Sequence, residues 1–386
     1  MDDTSQSKLT RRDFLSHATR LWAYAGLVSV VSGCAKAATP SPEVASPTET
    51  SRPDTPRPET PRPESAGANG DDFESAYLSL HRTGELARRA EALWQIMASC
   101  RLCPRQCGVN RLAGQRGFCH APGAPLVVAG YHPHFGEERP LVGRGGSGTI
   151  FISHCNLRCV FCQNWEISHL GRGAETSIEE LADMMLALQS KGCHNINVVT
   201  PTHYSPHILK ALDVAAGQGL RLPIVYNTSG WERLEILALL DGVIDIYLPD
   251  LKYGDGEMAA TYSAGAATYP AVAKAAILEM HRQVGVAHPA DGGLIQRGLM
   301  IRHLVMPNEV SGSEPIMAWI AEHLPKDTYV NIMAQYSPAH QAYDYPEISR
   351  RINREEYEQV VEQAEALGLT NLDVQGVEWL WDYRGG

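Results

Sequence analysis

Seven of the nine cysteines fall into two tight groups whose spacing points to metal chemistry. Cys155-x3-Cys159-x2-Cys162 directly follows a short apolar run, Thr149 to Ser153. Three thiolates on one loop can hold three irons of a cubane cluster and leave the fourth iron with an open site. A fourth nearby cysteine would close the cluster and favour plain electron transfer. Upstream stands Cys100-x2-Cys103-x3-Cys107-x11-Cys119, with Pro104, Gly108, Gly114 and Gly117 supplying turns between the thiols. Four such thiolates can close a tetrahedral zinc site or hold an iron–sulfur cluster, and in an exported protein they could form two disulfides. The sequence does not choose among these. Cys34 and Cys193 stand alone, and Cys193, just before a strand, reads as a buried or half-buried thiol.

An open iron has a use. It can chelate the amino and carboxylate groups of S-adenosylmethionine (SAM). One electron from the cluster then breaks a carbon–sulfur bond and releases a 5′-deoxyadenosyl radical that abstracts hydrogen. The cofactors carry this chemistry and the protein positions them. Cys155, Cys159 and Cys162 are therefore the expected catalytic residues and the ligands of a [4Fe–4S] cluster.

The elements around the loop must hold it in place. Strand patterns occur at Thr149–Ser153, Asn195–Thr200, Ile224–Thr228, Ile244–Leu248, Leu299–Met306 and Tyr329–Ala334. Helical patterns fall between them at 178–191, 206–218, 231–240, 270–284 and 314–323, with another at 353–367. This alternation predicts parallel strands joined by crossover helices. About six units make an α/β fold, a partial (β/α)6 barrel rather than the complete eightfold one. Polar residues gather at the predicted strand ends: Thr200 to His203, Asn227 to Gly230, Asp250 to Lys252, and Gln335-Tyr336. His203 and His207 flank a loop, as site residues or as ordinary loop residues. Trp379 and Trp381 are expected to pack against the open side of the barrel.

From about 98 to 370 the chain resembles the pyruvate formate-lyase activating enzyme-like branch of the radical SAM superfamily. Gly148 to Asn164 looks like that branch's signature. Asn227-Thr228-Ser229-Gly230, Asp250-Leu251-Lys252 and Ile301 to Pro307 look like its later strand-end motifs. By that resemblance Phe161 lies beside the adenine of SAM. Lys252 and Arg302 contact its carboxylate or ribose, and Asn227 lies near its polar groups. Asp250 helps bind a monovalent cation. The resemblance also implies a low-potential electron donor and a protein or peptide substrate, such as an enzyme whose glycine is converted to a radical. Two positions depart from the pattern. Asn227 stands where an acidic residue is usual, and Val199 to His203 replaces a Gly-Gly-Glu stretch.

The 386 residues divide into four parts: a signal over 1–34, a linker over 35–70, a helical and Cys-rich segment over 71–140, and a core over 141–386. Arg11-Arg12 followed by Phe14-Leu15, an apolar run from Leu21 to Val31 and then Gly33-Cys34 resemble a twin-arginine lipoprotein signal. Cys34 is its candidate acylation site. An ordinary amphipathic helix fits the same run, and an uncleaved segment would hold the chain at the cytoplasmic face of a membrane. Residues 39 to 70 repeat Arg-Pro-acid patterns and contain almost nothing to bury, so they are expected to be disordered. The net charge of -11 argues against a nucleic-acid partner. The competing function is an exported iron–sulfur electron-transfer or metal-binding lipoprotein without catalysis.

Overall fold

The computed structural model describes residues 73–290 and 292–375. The export signal, Cys34, the Pro-rich linker, Trp379 and Trp381 lie outside the described residues. Among the described residues no helix is long and apolar enough to cross a membrane.

The fold is α/β, built on a nine-stranded, largely parallel sheet. The strands are β1 (Leu126–His134), β2 (Ser147–Ile152), β3 (Ala174–Thr176), β4 (Ile196–Val199), β5 (Ile224–Thr228), β6 (Ile246–Pro249), β7 (Gly298–Leu304), β8 (Tyr329–Met333) and β9 (Leu372–Val374). Their order is β3-β1-β2-β4-β5-β6-β7-β8-β9. The six expected strands are β2 and β4 to β8, and they run parallel. Every residue of β5, β6 and β8 is buried. Apolar runs without alternation are what a sheet covered on both faces requires.

Three strands lie beyond that expectation. β9 adds a parallel strand next to β8, while β1 and β3 extend the other edge antiparallel. β1 falls within the segment 71–140, so that segment shares the sheet with the rest of the chain. Leu86, Leu93, Cys100 and Cys119 also belong to the same buried cluster as Ile150 of β2.

Helices Ile178–Ser190, Ser205–Gly217, Leu234–Leu240, Tyr269–Val284, Ser313–His323 and Arg354–Ala366 stand close to the predicted spans. The first begins at a capping box. Ser177 accepts from the Glu180 backbone while the Glu180 carboxylate accepts from Ser177 N–H, satisfying two donors that helix starts leave open.

The register aligns the site. Val199 pairs with Asn227, Asn227 with Leu248, and Asp250 bridges to Arg302. Arg302 is in turn paired with Asn331. Val199, Asn227 and Leu248 thus form one row and Asp250, Arg302 and Asn331 a second, two residues further along β6, toward the end of the sheet where α/β folds place their ligands.

Candidate active site

Beyond β2 the chain enters the cysteine loop through left-handed backbone at His154 (φ 72°) and turns again at Arg158 (φ 53°). Ser153 is fixed at the loop entrance, where its N–H donates to Val127 O (2.9 Å) and its carbonyl accepts from His203 Nε2 (2.8 Å). The three thiols then face a cavity of about 350 Å³ that Asn227, Lys252 and Arg302 also line.

Each thiol has a polar neighbour. Cys159 Sγ lies 3.0 Å from Ser263 Oγ, and Cys162 Sγ lies 3.1 Å from Ser168 Oγ. Leu157 N–H donates to Cys155 Sγ at 3.4 Å. Burial pushes the Cys159 thiol up to about 12. Hydrogen-bond donors aimed at sulfur suit thiolates, which a metal would stabilise against that burial. Phe161 is buried and meets Tyr336 edge-on at 5.8 Å between ring centroids, forming an apolar wall of the cavity.

The same cavity is lined by two cations held by acids. Lys252 Nζ lies 2.6 Å from Asp250 Oδ2. Burial works against the lysine's charge, yet Asp250 and the thiol of Cys159 leave its pKa raised. Arg302 lies 3.1 Å from Glu138 and 3.4 Å from Glu137, and donates to Asn227 Oδ1 at 3.1 Å. Burial opposes its charge too, and Glu138, Glu137 and Asp250 raise its pKa nonetheless. Glu137 has its own pKa raised by burial, with Arg302 pulling it back. Asp250 thus supports both cations, Lys252 by direct contact and Arg302 at longer range.

The structure brings together Cys155, Cys159, Cys162, Phe161, Asn227, Lys252 and Arg302. It leaves out two candidates. His203 and His207 are buried core residues, with His207 Nε2 bonded to Gly123 O (2.8 Å), and neither lines the cavity. Burial drives both imidazoles down to about 3, so they are neutral. Neither is an exposed loop residue. Cys193 is buried, as expected.

The cavity also contains Glu137, which the sequence reading missed. Its signal was weak: two adjacent acids after a short apolar stretch, in a region read as helical and Cys-rich.

The profile of the radical SAM superfamily matches residues 149–285, which contain the three-cysteine loop and its lysine. Residues 149–285 are therefore a radical SAM domain. This domain implies a [4Fe–4S] cluster and SAM, and the donor set fits both: three thiols line one cavity, with no fourth among the described residues that line it, beside two cations for a carboxylate. The chain is 32% identical over 313 residues to the uncharacterised protein MJ0674 of Methanocaldococcus jannaschii, covering 78% of this chain and 84% of that one. A second protein of that organism, the uncharacterised MJ0808, is 26% identical over 144 residues, 33% of this chain and 42% of the other. Among solved structures, a radical SAM methyltransferase from Sphaerobacter thermophilus aligns at 14% identity with a TM-score of 0.40, over 59% of this chain and 66% of that one. Methylornithine synthase (PylB) aligns at 12% identity with a TM-score of 0.37, over 78% and 82%.

Proposed function

We propose that this radical SAM protein reductively cleaves SAM in the cavity formed by the cysteine loop, Lys252 and Arg302. The observation that carries the reading is that three thiols and two acid-anchored cations line one cavity. When bound, the cluster supplies the electron that splits SAM into methionine and a 5′-deoxyadenosyl radical. Cys155, Cys159 and Cys162 would hold it. Lys252 and Arg302 are placed to attract the methionine carboxylate, Asn227 to meet a polar group, and Phe161 to give the adenine an apolar face. The six strands β2 and β4 to β8 read as a partial (β/α)6 barrel around this cavity. The superfamily assignment does not favour an electron carrier without catalysis.

The finer reading is an activating enzyme that takes hydrogen from a glycine of a partner protein, fed by a low-potential electron donor. It rests on the strand-end motifs at Asn227 to Gly230 and Asp250 to Lys252. The test uses full-length, anaerobically reconstituted protein, reduced with dithionite and given SAM. 5′-Deoxyadenosine and methionine are expected, and Cys159→Ala should abolish both. Undiminished cleavage in that variant would refute the assignment.

Export as a lipoprotein is proposed on Arg11-Arg12, the apolar run and Cys34. Intact-mass measurement of membrane-fraction protein should show a chain starting at acylated Cys34. A chain still carrying residues 1–33 would reject cleavage and leave the cytoplasmic-face anchor.

A further inference from the structure

We propose that Cys100, Cys103, Cys107 and Cys119 hold a second, tetrathiolate metal centre, and that its loop positions the radical SAM cysteine loop through Arg105. The metal site stands independently of the proposed reaction, whereas the positioning role rests on the cluster assigned above.

The loop is built around sulfur. Cys100, Cys103 and Cys119 are buried, Cys107 is half-buried, and all four are free thiols. They lie close enough that Cys100, Cys107 and Cys119 each act electrostatically on Cys103. A backbone amide points at one of the sulfurs, Phe118 N–H donating to Cys107 Sγ at 3.3 Å.

The backbone is folded tightly to allow this. Cys100 N–H donates to Val109 O (2.8 Å) while Gly108 N–H returns to Cys100 O (3.0 Å). Gly117 leaves room for Cys107, since a Cβ there would stand 2.9 Å from the sulfur. Among the described residues no three Cys, His, Asp or Glu side chains already stand at the spacing of a single ion's ligand shell. That holds for Cys155, Cys159 and Cys162 as much as for this set; a cluster spreads its thiolates over separate irons and needs no such spacing, whereas zinc would draw the four cysteines inward. Metal binding would release the thiol protons and satisfy sulfurs that otherwise stay buried and weakly bonded.

Arg105 links the two thiol sets. It sits between Cys103 and Cys107 in sequence, and its guanidinium lies 3.8 Å from the Phe118 ring centroid and 4.9 Å from that of Trp231. From there it donates to Asn156 O (3.0 Å), Ser263 O (3.2 Å) and Ala264 O (2.8 Å). Asn156 follows Cys155, and Ser263 Oγ is the neighbour of Cys159 Sγ. Ordering the four-cysteine loop would therefore fix both the start of the radical SAM loop and the hydroxyl beside its second thiol. Arg105 is a positioning residue in this scheme.

The experiment begins with full-length Cys155→Ala/Cys159→Ala/Cys162→Ala protein, purified anaerobically. Zinc, iron and acid-labile sulfide are quantified. About one zinc per chain, or iron with matching sulfide, is expected. The first outcome identifies a zinc site and the second a cluster. Adding Cys103→Ser and Cys107→Ser should remove it. Absence of stoichiometric metal, or thiol counting that finds two disulfides, overturns the proposal. If the further variant fails to fold, X-ray absorption on the metal of the first decides: an all-sulfur shell supports the site and an oxygen or nitrogen shell refutes it. For the positioning role, Arg105→Gln should keep the second metal while its reconstituted three-cysteine cluster shows lower iron content and an altered electron-paramagnetic-resonance signal. An unchanged signal and full iron content would overturn that role.

Discussion

Arg302 on β7 reaches past β6 to donate its Nη1 to Asn227 Oδ1 on β5, at 3.1 Å. The contact spans a strand because Asp250, at the end of β6, pairs in register with Arg302 and directs its own carboxylate to Lys252. Two cations and one amide are thereby locked into a single polar wall of the cavity that the thiols also line.

That wall makes Arg302→Lys informative. Lysine keeps the charge that offsets Glu137 and Glu138, so the fold should survive. It loses the planar fork that can hold Asn227, Glu138 and a ligand carboxylate together. Charge-assisted hydrogen bonds contribute ~1.5–3 kcal/mol, so SAM should bind roughly 10- to 100-fold more weakly. Equilibrium binding to cluster-loaded protein measures this, and unchanged affinity would take Arg302 out of the SAM site.

Lys252→Met should behave differently. Its ammonium has one carboxylate partner, and its side chain is 19% exposed. The variant leaves Asp250 without its partner at the cavity. A carboxylate freed beside the expected SAM carboxylate repels it, so binding should fall further than in Lys252→Met/Asp250→Asn. Titration of both variants with SAM checks the order, and equal losses would show that Asp250 exerts no such repulsion.

The strands and helices that build this wall were legible because burial on both faces forces long apolar runs between glycine and proline breaks. β5 and β6 needed only their composition. The edges were not legible. β1 carries Gly130 and Pro133, leaves its second half exposed or only half-buried and shifts register between Val128 and Gly130, so it lacks an alternating pattern. β3 and β9 have three residues each, too few for any period. The thiols, Lys252 and Arg302 could be named because their chemistry is tied to spacing or to a family motif. Glu137 could not, since a carboxylate in a polar loop shows its burial only once β1 has carried the loop after it to β7. His203 misled in the opposite way: a polar residue at a strand end, its ring serves the backbone of Ser153.

Gly230→Ala tests how tightly the strand ends are coupled. Gly230 adopts φ +77°, and a Cβ there would stand 2.2 Å from Asp250 O. Alanine therefore meets both a strained backbone and a rigid carbonyl. A loss of roughly 2 kcal/mol or more is expected in denaturant unfolding. SAM affinity should also fall, because Asp250 and Lys252 would be displaced. A variant as stable as wild type would mean that the β5 and β6 ends move freely.

Glu232 gives a pH dependence whose sign can be worked out. Its side chain is buried beneath the β5 end. Oε1 accepts from the hydroxyls of Thr202 (2.6 Å) and Thr228, while Oε2 has no partner among the described residues. Burial pushes its carboxyl up to about 7 from 4.5, against the two threonine bonds. The folded state therefore keeps a proton that the unfolded state has released over that interval. Stability is highest below about pH 4.5 as far as this group is concerned, and it falls as pH rises to about 7, by on the order of 3 kcal/mol. Glu232→Gln is isosteric with the protonated acid and cannot ionise, so its unfolding free energy should lack this fall. Urea unfolding of wild type and variant at pH 5 and pH 8 makes the comparison. The two proteins should be close at pH 5 and the variant more stable at pH 8. Parallel losses in both would assign the pH dependence to other groups, with Asp245, which burial raises to about 6, the first to examine.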